Sequence, residues 1–196
     1  MPWPEPVALQ GPHASLVPLA PEHADALRVA SDDGEIWRRW FTNVPDPEGM
    51  DEEIRRRLGL QQAGTMLPFT VLDAQGCPAG MTTYMAIDSA TPRVEIGSTW
   101  YARRVQRTAL NTQCKLLLLG HAFDALGCIA VEFRTSSFNR QSRHAIERLG
   151  ARLDGILRNH SHHSNGTLRD TCVYSIIAPE WPAVRSQLLF MLGQQG

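Results

Sequence analysis

The sequence has no long apolar run, no excess of charge of one sign and no paired-cysteine motif. A membrane-spanning helix needs about 20 apolar residues, and the longest hydrophobic stretch falls far short of that. No membrane partner is expected. Lysine and arginine total 19 against 20 aspartates and glutamates, a net charge of −1, so electrostatics offers no reason to expect nucleic acid. The clusters Arg38-Arg39, Arg55-Arg56-Arg57 and Arg103-Arg104 read as solvated helix faces or loop edges. The opening Met-Pro-Trp-Pro-Glu-Pro has no basic or apolar leader region, so no secretory signal is expected. Cys77, Cys114, Cys128 and Cys172 show no Cys-x-x-Cys spacing, and free thiols in the cytoplasm are expected. Neither glycine-rich nucleotide fingerprint, Gly-x-Gly-x-x-Gly or Gly-x-x-x-x-Gly-Lys-Ser/Thr, occurs, which disfavours a dinucleotide or P-loop protein.

What is present suits one domain. The chain has 196 residues, 43% of them hydrophobic, enough for a sizeable core. No repeat, low-complexity stretch or linker divides it. The patterning predicts strands at Ser15–Leu19, Pro68–Leu72, Ala79–Ile87, Arg93–Tyr101, Ile129–Thr135, Ala151–Arg158 and Leu168–Ile177. Helices are expected at Pro21–Ala30, Asp51–Ala63, Thr108–Leu126, Arg143–Leu149 and Glu180–Leu192, with proline in the first turn of the first and last. Gly127 should stop the leucine-rich helix.

The most informative stretch is Arg93-Val-Glu-Ile-Gly-Ser-Thr-Trp-Tyr101, then a turn, then the leucine-rich helix. Strand, helix and the next strand form a βαβ unit. Alternation places Val94, Ile96, Ser98 and Trp100 on one face. It places Glu95 on the other with Gly97, Thr99 and Tyr101, and Gly97 leaves room for a close approach. The first-turn amides of the helix lack internal partners and suit a phosphate. A carboxylate beside such a turn suits removal of a proton from an acceptor.

Glu-Ile-Gly in the strand, the turn, Asn111-Thr-Gln-Cys-Lys115, Asn139-x-x-Ser142 and Leu149-Gly150-Ala151 together resemble the GNAT superfamily of acyl-coenzyme A N-acyltransferases. Asp154-Gly-Ile-Leu-Arg158, Arg169-Asp170, Tyr174-Ser175 and Glu180-Trp181-Pro182 are similar to the ribosomal-protein N-terminal acetyltransferase (RimJ/RimL-type) branch. The resemblance covers about residues 10 to 190, nearly the whole chain, and implies a single domain over 1–196. It implies an α/β (α+β) fold: a mixed, mostly antiparallel twisted sheet with splayed central parallel strands and flanking helices. The pantetheine arm of acetyl-coenzyme A, the co-substrate, would lie in the splay, with its pyrophosphate on the turn. The implied cofactor contacts are Trp100, Tyr101, Arg104, Gln106, Arg107, Thr108, Ala109, Asn111, Asn139 and Ser142.

Two departures stand out. The family turn is Gln/Arg-x-x-Gly-x-Gly/Ala. Here Arg107 takes the first glycine position and Ala109 the second. Arg107 adds a guanidinium for phosphate where glycine would accept positive φ freely. Many members also carry a tyrosine four residues before the glycine of Leu149-Gly150. This chain has Ile146 there, so the usual general acid is missing.

The expected activity is acetyl transfer to a primary amine, on a protein N-terminus or a small molecule, by direct attack on the thioester. Glu95 is the candidate base, or else a strand carboxylate paired with Arg93 or another cation. Ser142 is a candidate proton donor or thioester contact, or the N-cap of the following helix; Tyr101 is a second candidate donor. Trp37, Trp40, Thr83, His160 and Asp170 are candidates for the acceptor pocket. Trp37 and Trp40 read equally as core, and Asp170 is better read as an ion-pair partner of Arg158 or Arg169. His160-Ser-His162-His163 lacks metal-site companions, and Ser164-Asn165-Gly166 after it reads as a hairpin turn, so no metal is expected. The leucine- and methionine-rich tail is a candidate contact for a homodimer. The alternative reading is a module of the same fold that senses acyl-coenzyme A without turnover.

Overall fold

The computed structural model describes residues 3–193. Eight strands form one sheet in the order β1-β2-β3-β4-β5-β6-β8-β7. They are β1 (Leu9–Gln10), β2 (Ala14–Pro18), β3 (Met66–Asp73), β4 (Pro78–Asp88), β5 (Arg93–Tyr101), β6 (Ala130–Ser136), β7 (Arg152–His162) and β8 (Leu168–Ile177). Every pairing is antiparallel except β5 with β6. The helices are α1 (Ala24–Asp32), α2 (Met50–Gln62), α3 (Leu110–Gly120), α4 (Arg140–Arg148) and α5 (Trp181–Met191). The mixed, mostly antiparallel sheet with one parallel pair is the expected architecture.

Adjacent residues of β4 show how the layers divide. Thr83 accepts a hydrogen bond from Arg57 of α2 at 2.8 Å. Its neighbour Tyr84 donates to Leu118 O of α3 at 2.6 Å. Side chains alternate across a strand, so α2 and α3 cover opposite faces. Helix α1 packs on α2 and β4. Helix α4 joins the α3 face through Tyr174, which donates to Glu147 Oε1 at 2.7 Å and accepts from Arg143 Nε at 2.9 Å. Helix α5 closes the end of that layer, where Trp181 Nε1 donates to Asp124 at 2.8 Å and its ring stacks on Phe123. One continuous set of buried apolar residues runs from Ala14 to Leu188. No described helix is long and apolar enough to cross a membrane.

Three local differences from the sequence expectations have clear causes. The leucine-rich helix keeps α geometry only to Gly120 and then makes a wider π turn over His121–Ala125, with Leu126 N bonded to His121 O. Gly127, at φ 65°, ends it as expected. Helix α4 begins at Arg140, three residues early, because Asn139 caps it by accepting from Ser142 N at 3.0 Å. Asn139 is therefore the N-cap, and Ser142 lies inside the first turn. The third concerns Arg57, expected in a solvated cluster but only 1% exposed. Its guanidinium is held by Glu53 Oε1 at 2.6 Å and by Thr83, and a buried charge survives only when paired in this way.

Candidate active site

Strands β5 and β6 pair over three residues only, Arg93–Glu95 with Ala130–Glu132. Beyond Glu95 they part. The cause lies in β5 itself. Ser98 adopts φ 47°, and the register against β4 slips between Met81↔Trp100 and Thr83↔Gly97. This is a bulge, which bends a strand and interrupts its ladder. Arg57 secures it from below, donating to Ser98 O at 3.3 Å. Thr82 and Thr99 link hydroxyls across it at 2.8 Å.

The bulge overturns part of the expected face assignment. Trp100 now shares a face with Gly97, Thr83 and Glu95, while Thr99 and Tyr101 turn to the opposite face with Ile96. The Tyr101 hydroxyl is enclosed on the α3 side near Cys114, and burial pushes its phenol well above 10. Tyr101 therefore points away from Glu95. Burial likewise pushes the Cys114 thiol up to about 12, so it holds its proton at neutral pH. Trp100 sits in the core, leaving its backbone to face the splay.

At the root of the splay Glu95 is 7% exposed. Burial pushes its carboxyl up to about 7, Glu132 adds to the rise, and Arg134 and Arg169 oppose it. The nearest cation is Arg134, whose Nε lies 3.6 Å from Glu95 Oε2. Arg134 is shared with Glu132 at 3.0 Å, and Glu132 also holds Arg93. Arg93 thus pairs with Glu132 and not with Glu95. A carboxyl titrating near 7 can take up and release a proton at neutral pH.

The turn after β5, where the resemblance implies an anion site, departs from the family's form. Arg107 adopts the left-handed φ of 62° that the family fills with glycine. Ala109 is the N-cap of α3, and Gln113 is the residue whose amide bonds back to it, at 2.9 Å. A cavity of about 300 Å³ beside the turn is lined by His13, Asp73, Gln75, Arg104, Thr108, Ala109 and Leu110, among others, and Leu110 N donates to Thr108 Oγ1 at 3.3 Å. Several side chains there serve the turn itself. Gln106 Nε2 donates to Tyr101 O at 3.0 Å, and Thr108 Oγ1 donates to Val105 O at 2.7 Å. The sequence places Arg104 at the phosphates, but its guanidinium holds the buried Asp73 and Pro78 O. Among the described residues, the exposed Arg107 and the half-buried Asn111 have no such commitment.

Three segments meet through aromatic contacts beyond the end of β6. Trp40, from the α1–α2 connection, meets His163 of the β7–β8 hairpin edge to face with ring centroids 4.7 Å apart. It also meets Phe138 of the β6–α4 turn at 5.3 Å and its neighbour Phe41 at 5.6 Å. Ser164 Oγ donates to Trp40 O at 3.0 Å, and Arg39 donates to Gln141 at 3.1 Å. Of the expected acceptor residues, Thr83 lies on the Glu95 face under Arg57. Trp40 belongs to the aromatic bridge. Trp37 sits apart in a short 3-10 turn, covered by the Arg38 guanidinium at 4.8 Å. His160 is exposed and bonded to Thr171 Oγ1 at 3.2 Å. Asp170 makes neither expected ion pair. It accepts from Asn159 N at 2.8 Å, closing an irregularity of the hairpin where Asn159 takes φ 50°. The turn expected at Ser164-Asn165-Gly166 is present, with Gly166 N bonded to His163 O.

Sequence reasoning missed Arg57, Arg134, Phe138 and Arg169. The first three sat in segments read for other purposes. Arg169 had a usable signal, since it alternates with Thr171 and Val173 onto the face that carries Arg134.

Comparisons with known proteins agree with this geometry. No curated protein sequence shows a significant match to the chain. A solved GCN5-related N-acetyltransferase from Brucella melitensis is 29% identical, with a TM-score of 0.86 over 97% of this chain and 87% of that one. A T. thermophilus protein described as an acetyltransferase is 30% identical, with a TM-score of 0.85 over 97% of this chain and 99% of that one. Mycobacterium smegmatis RimJ, solved in complex with CoA-disulfide, shares the fold at 21% identity, with a TM-score of 0.79 over 99% and 98%. The acetyltransferase (GNAT) domain family matches residues 14–152, from β2 through the turn and α4 to the start of β7. The chain belongs to the GNAT family of acetyltransferases.

Proposed function

We propose that the whole chain acts as one cytoplasmic domain of the RimJ/RimL type that transfers an acetyl group from acetyl-coenzyme A to a primary amine, with Glu95 as the general base. The observation that carries this is the placement of Glu95. A buried carboxyl pushed up to about 7 stands where β5 and β6 part, on the strand that leads into the turn before α3. Acetyl-coenzyme A supplies an acyl group activated as a thioester. The amides around Arg107–Ala109, the Arg107 guanidinium and Asn111 would take its phosphates. Trp100 and Tyr101 would offer backbone to its arm, and Asn139 and Ser142 would meet the arm at the start of α4.

An amine near pH 8 or above is mostly protonated at neutral pH. Glu95 removes that proton, directly or through a water, and desolvation makes its carboxylate a stronger base than one in water. Ser142 is the candidate to meet the departing sulfur, since Tyr101 faces the other way and Ile146 is buried in the core. The homodimer remains part of the proposal, although Leu188 of the tail packs inside this chain and Phe190 is the large apolar residue that α5 leaves exposed.

Ile146 also motivates the alternative, a sensor that binds acyl-coenzyme A without turnover. Calorimetric titration with acetyl-coenzyme A, combined with thiol release over a panel of amines and peptides, separates the two. Binding with release supports the enzyme. Binding without release from any acceptor favours the sensor. Absence of binding refutes both.

A further inference from the structure

The sheet face that carries Glu95 and Arg134 also carries Arg169. Arg169 lies on the face of β8 that carries Thr171 and Val173, opposite Ser136 and Arg134 of β6. Its Nε is enclosed yet has no hydrogen-bond partner among the described residues. Its charge acts on both Glu95 and His163. His163, 6% exposed, has an orphaned Nε2 as well. A buried guanidinium donor left unpaired is costly, and water or a ligand completes such a site. Next to this pair Trp40 and Phe138 present ring surface to solvent, at 38% and 60% exposure.

We propose that the amine acceptor is a free α-amino acid with a large apolar or aromatic side chain, its carboxylate bound by Arg169, its amine at Glu95 and its side chain against Trp40 and Phe138. The inference rests on the acetyltransferase reading and narrows its acceptor. An α-amino acid carries its ammonium and carboxylate on one carbon, which suits a carboxyl and a guanidinium carried on one face of the sheet. A planar guanidinium fork suits a carboxylate in particular. A protein N-terminus brings an uncharged amide carbonyl to the same place and leaves Arg169 unpaired. In the reaction Glu95 takes one proton from the acceptor ammonium. The amine nitrogen bonds to the acyl carbon, the carbon–sulfur bond breaks, and the second amine proton passes to the departing thiolate.

The test compares thiol release from acetyl-coenzyme A with L-phenylalanine, L-tryptophan, their carboxamides, and peptides beginning with the same residues. The expected result is a kcat/KM at least tenfold higher for the free acids than for amides and peptides. Arg169→Gln is expected to raise KM for the free acids more than tenfold, to raise it for the amides far less and to leave acetyl-coenzyme A binding intact. Arg169→Lys should recover part of the loss. Amides or peptides that equal or exceed the free acids overturn the inference while the acetyltransferase reading stands. Equal loss for acids and amides in Arg169→Gln also overturns it. No release with any acceptor refutes the acetyltransferase reading and this inference with it.

Discussion

The carboxyl of Glu95 occupies the space that a side chain at Gly97 would take. A Cβ built on Gly97 would lie 2.9 Å from Glu95 Oε1 and 2.7 Å from Met85 Sδ. Gly97 thus makes room for the carboxyl as well as for a ligand. Gly97→Ala should displace Glu95 and Met85, both flexible at their ends, at a stability cost of about 1–3 kcal/mol. Misplacing a reacting group by an ångström costs roughly a hundredfold, so acetyl transfer should fall by about that factor while the protein still folds and binds acetyl-coenzyme A. Circular dichroism, calorimetry and thiol release on the one variant check all three.

The raised titration of Glu95 has a stability signature. Its carboxyl titrates at about 7 in the fold against 4.5 for the free side chain. Between those values the folded protein holds a proton that the unfolded chain has lost, so stability falls as pH rises from about 4.5 to 7 and then levels off. The loss is about 3 kcal/mol. Glu95→Gln lacks this contribution. The stability gap between wild type and variant should therefore shift in favour of the variant by that amount from pH 4.5 to 7.5 in urea titrations. A constant gap would mean that Glu95 is not desolvated.

Lys115 is the only lysine in the sequence, and it is 7% exposed. Its ammonium lies 5.6 Å from the centre of the Phe133 ring, and no carboxylate acts on it, so burial pushes it down to about 8. Lys115→Met keeps the shape and removes the charge. It should stabilise the fold by about 3 kcal/mol at pH 7. The gain should shrink from pH 8 to 10.5, where the folded wild type loses its proton before the unfolded chain does. Thermal unfolding at pH 7 and 10 measures both.

Much of the fold was legible because alternation and the 3.6-residue period are strong where one face meets the core. Strand β5, helix α3 and the stop at Gly127 show this. The site was less legible, because its geometry depends on exceptions to those periods. A single left-handed residue, Ser98, reverses the faces of Thr99 and Tyr101, and nothing in the residue types around it announces the bulge. Arg57 looked like surface because it sits among arginines. Only the fold brings Thr83 and Ser98 O within its reach. Glu95 was legible because its neighbours carry a family pattern. The Arg134 and Arg169 that flank it come from strands joined only by tertiary pairing.

Arg107 holds a backbone conformation that costs a side-chain-bearing residue about 1–2 kcal/mol. Its guanidinium is the compensation the proposal assigns to it. Arg107→Gly should leave stability within about 1 kcal/mol of wild type and weaken acetyl-coenzyme A binding by roughly tenfold, with a smaller salt dependence. Unchanged affinity would mean that the backbone amides alone hold the phosphates.

The central claim is that Glu95 removes the acceptor's proton, and the pH dependence of kcat tests it most directly. With saturating acetyl-coenzyme A and acceptor, wild type should lose rate tenfold per pH unit below about 7 and reach a plateau above it. Glu95→Gln should fall by roughly a hundredfold or more on that plateau, lose the limb near 7 and keep its affinity for acetyl-coenzyme A. A variant that retains both the rate and the limb would contradict the account.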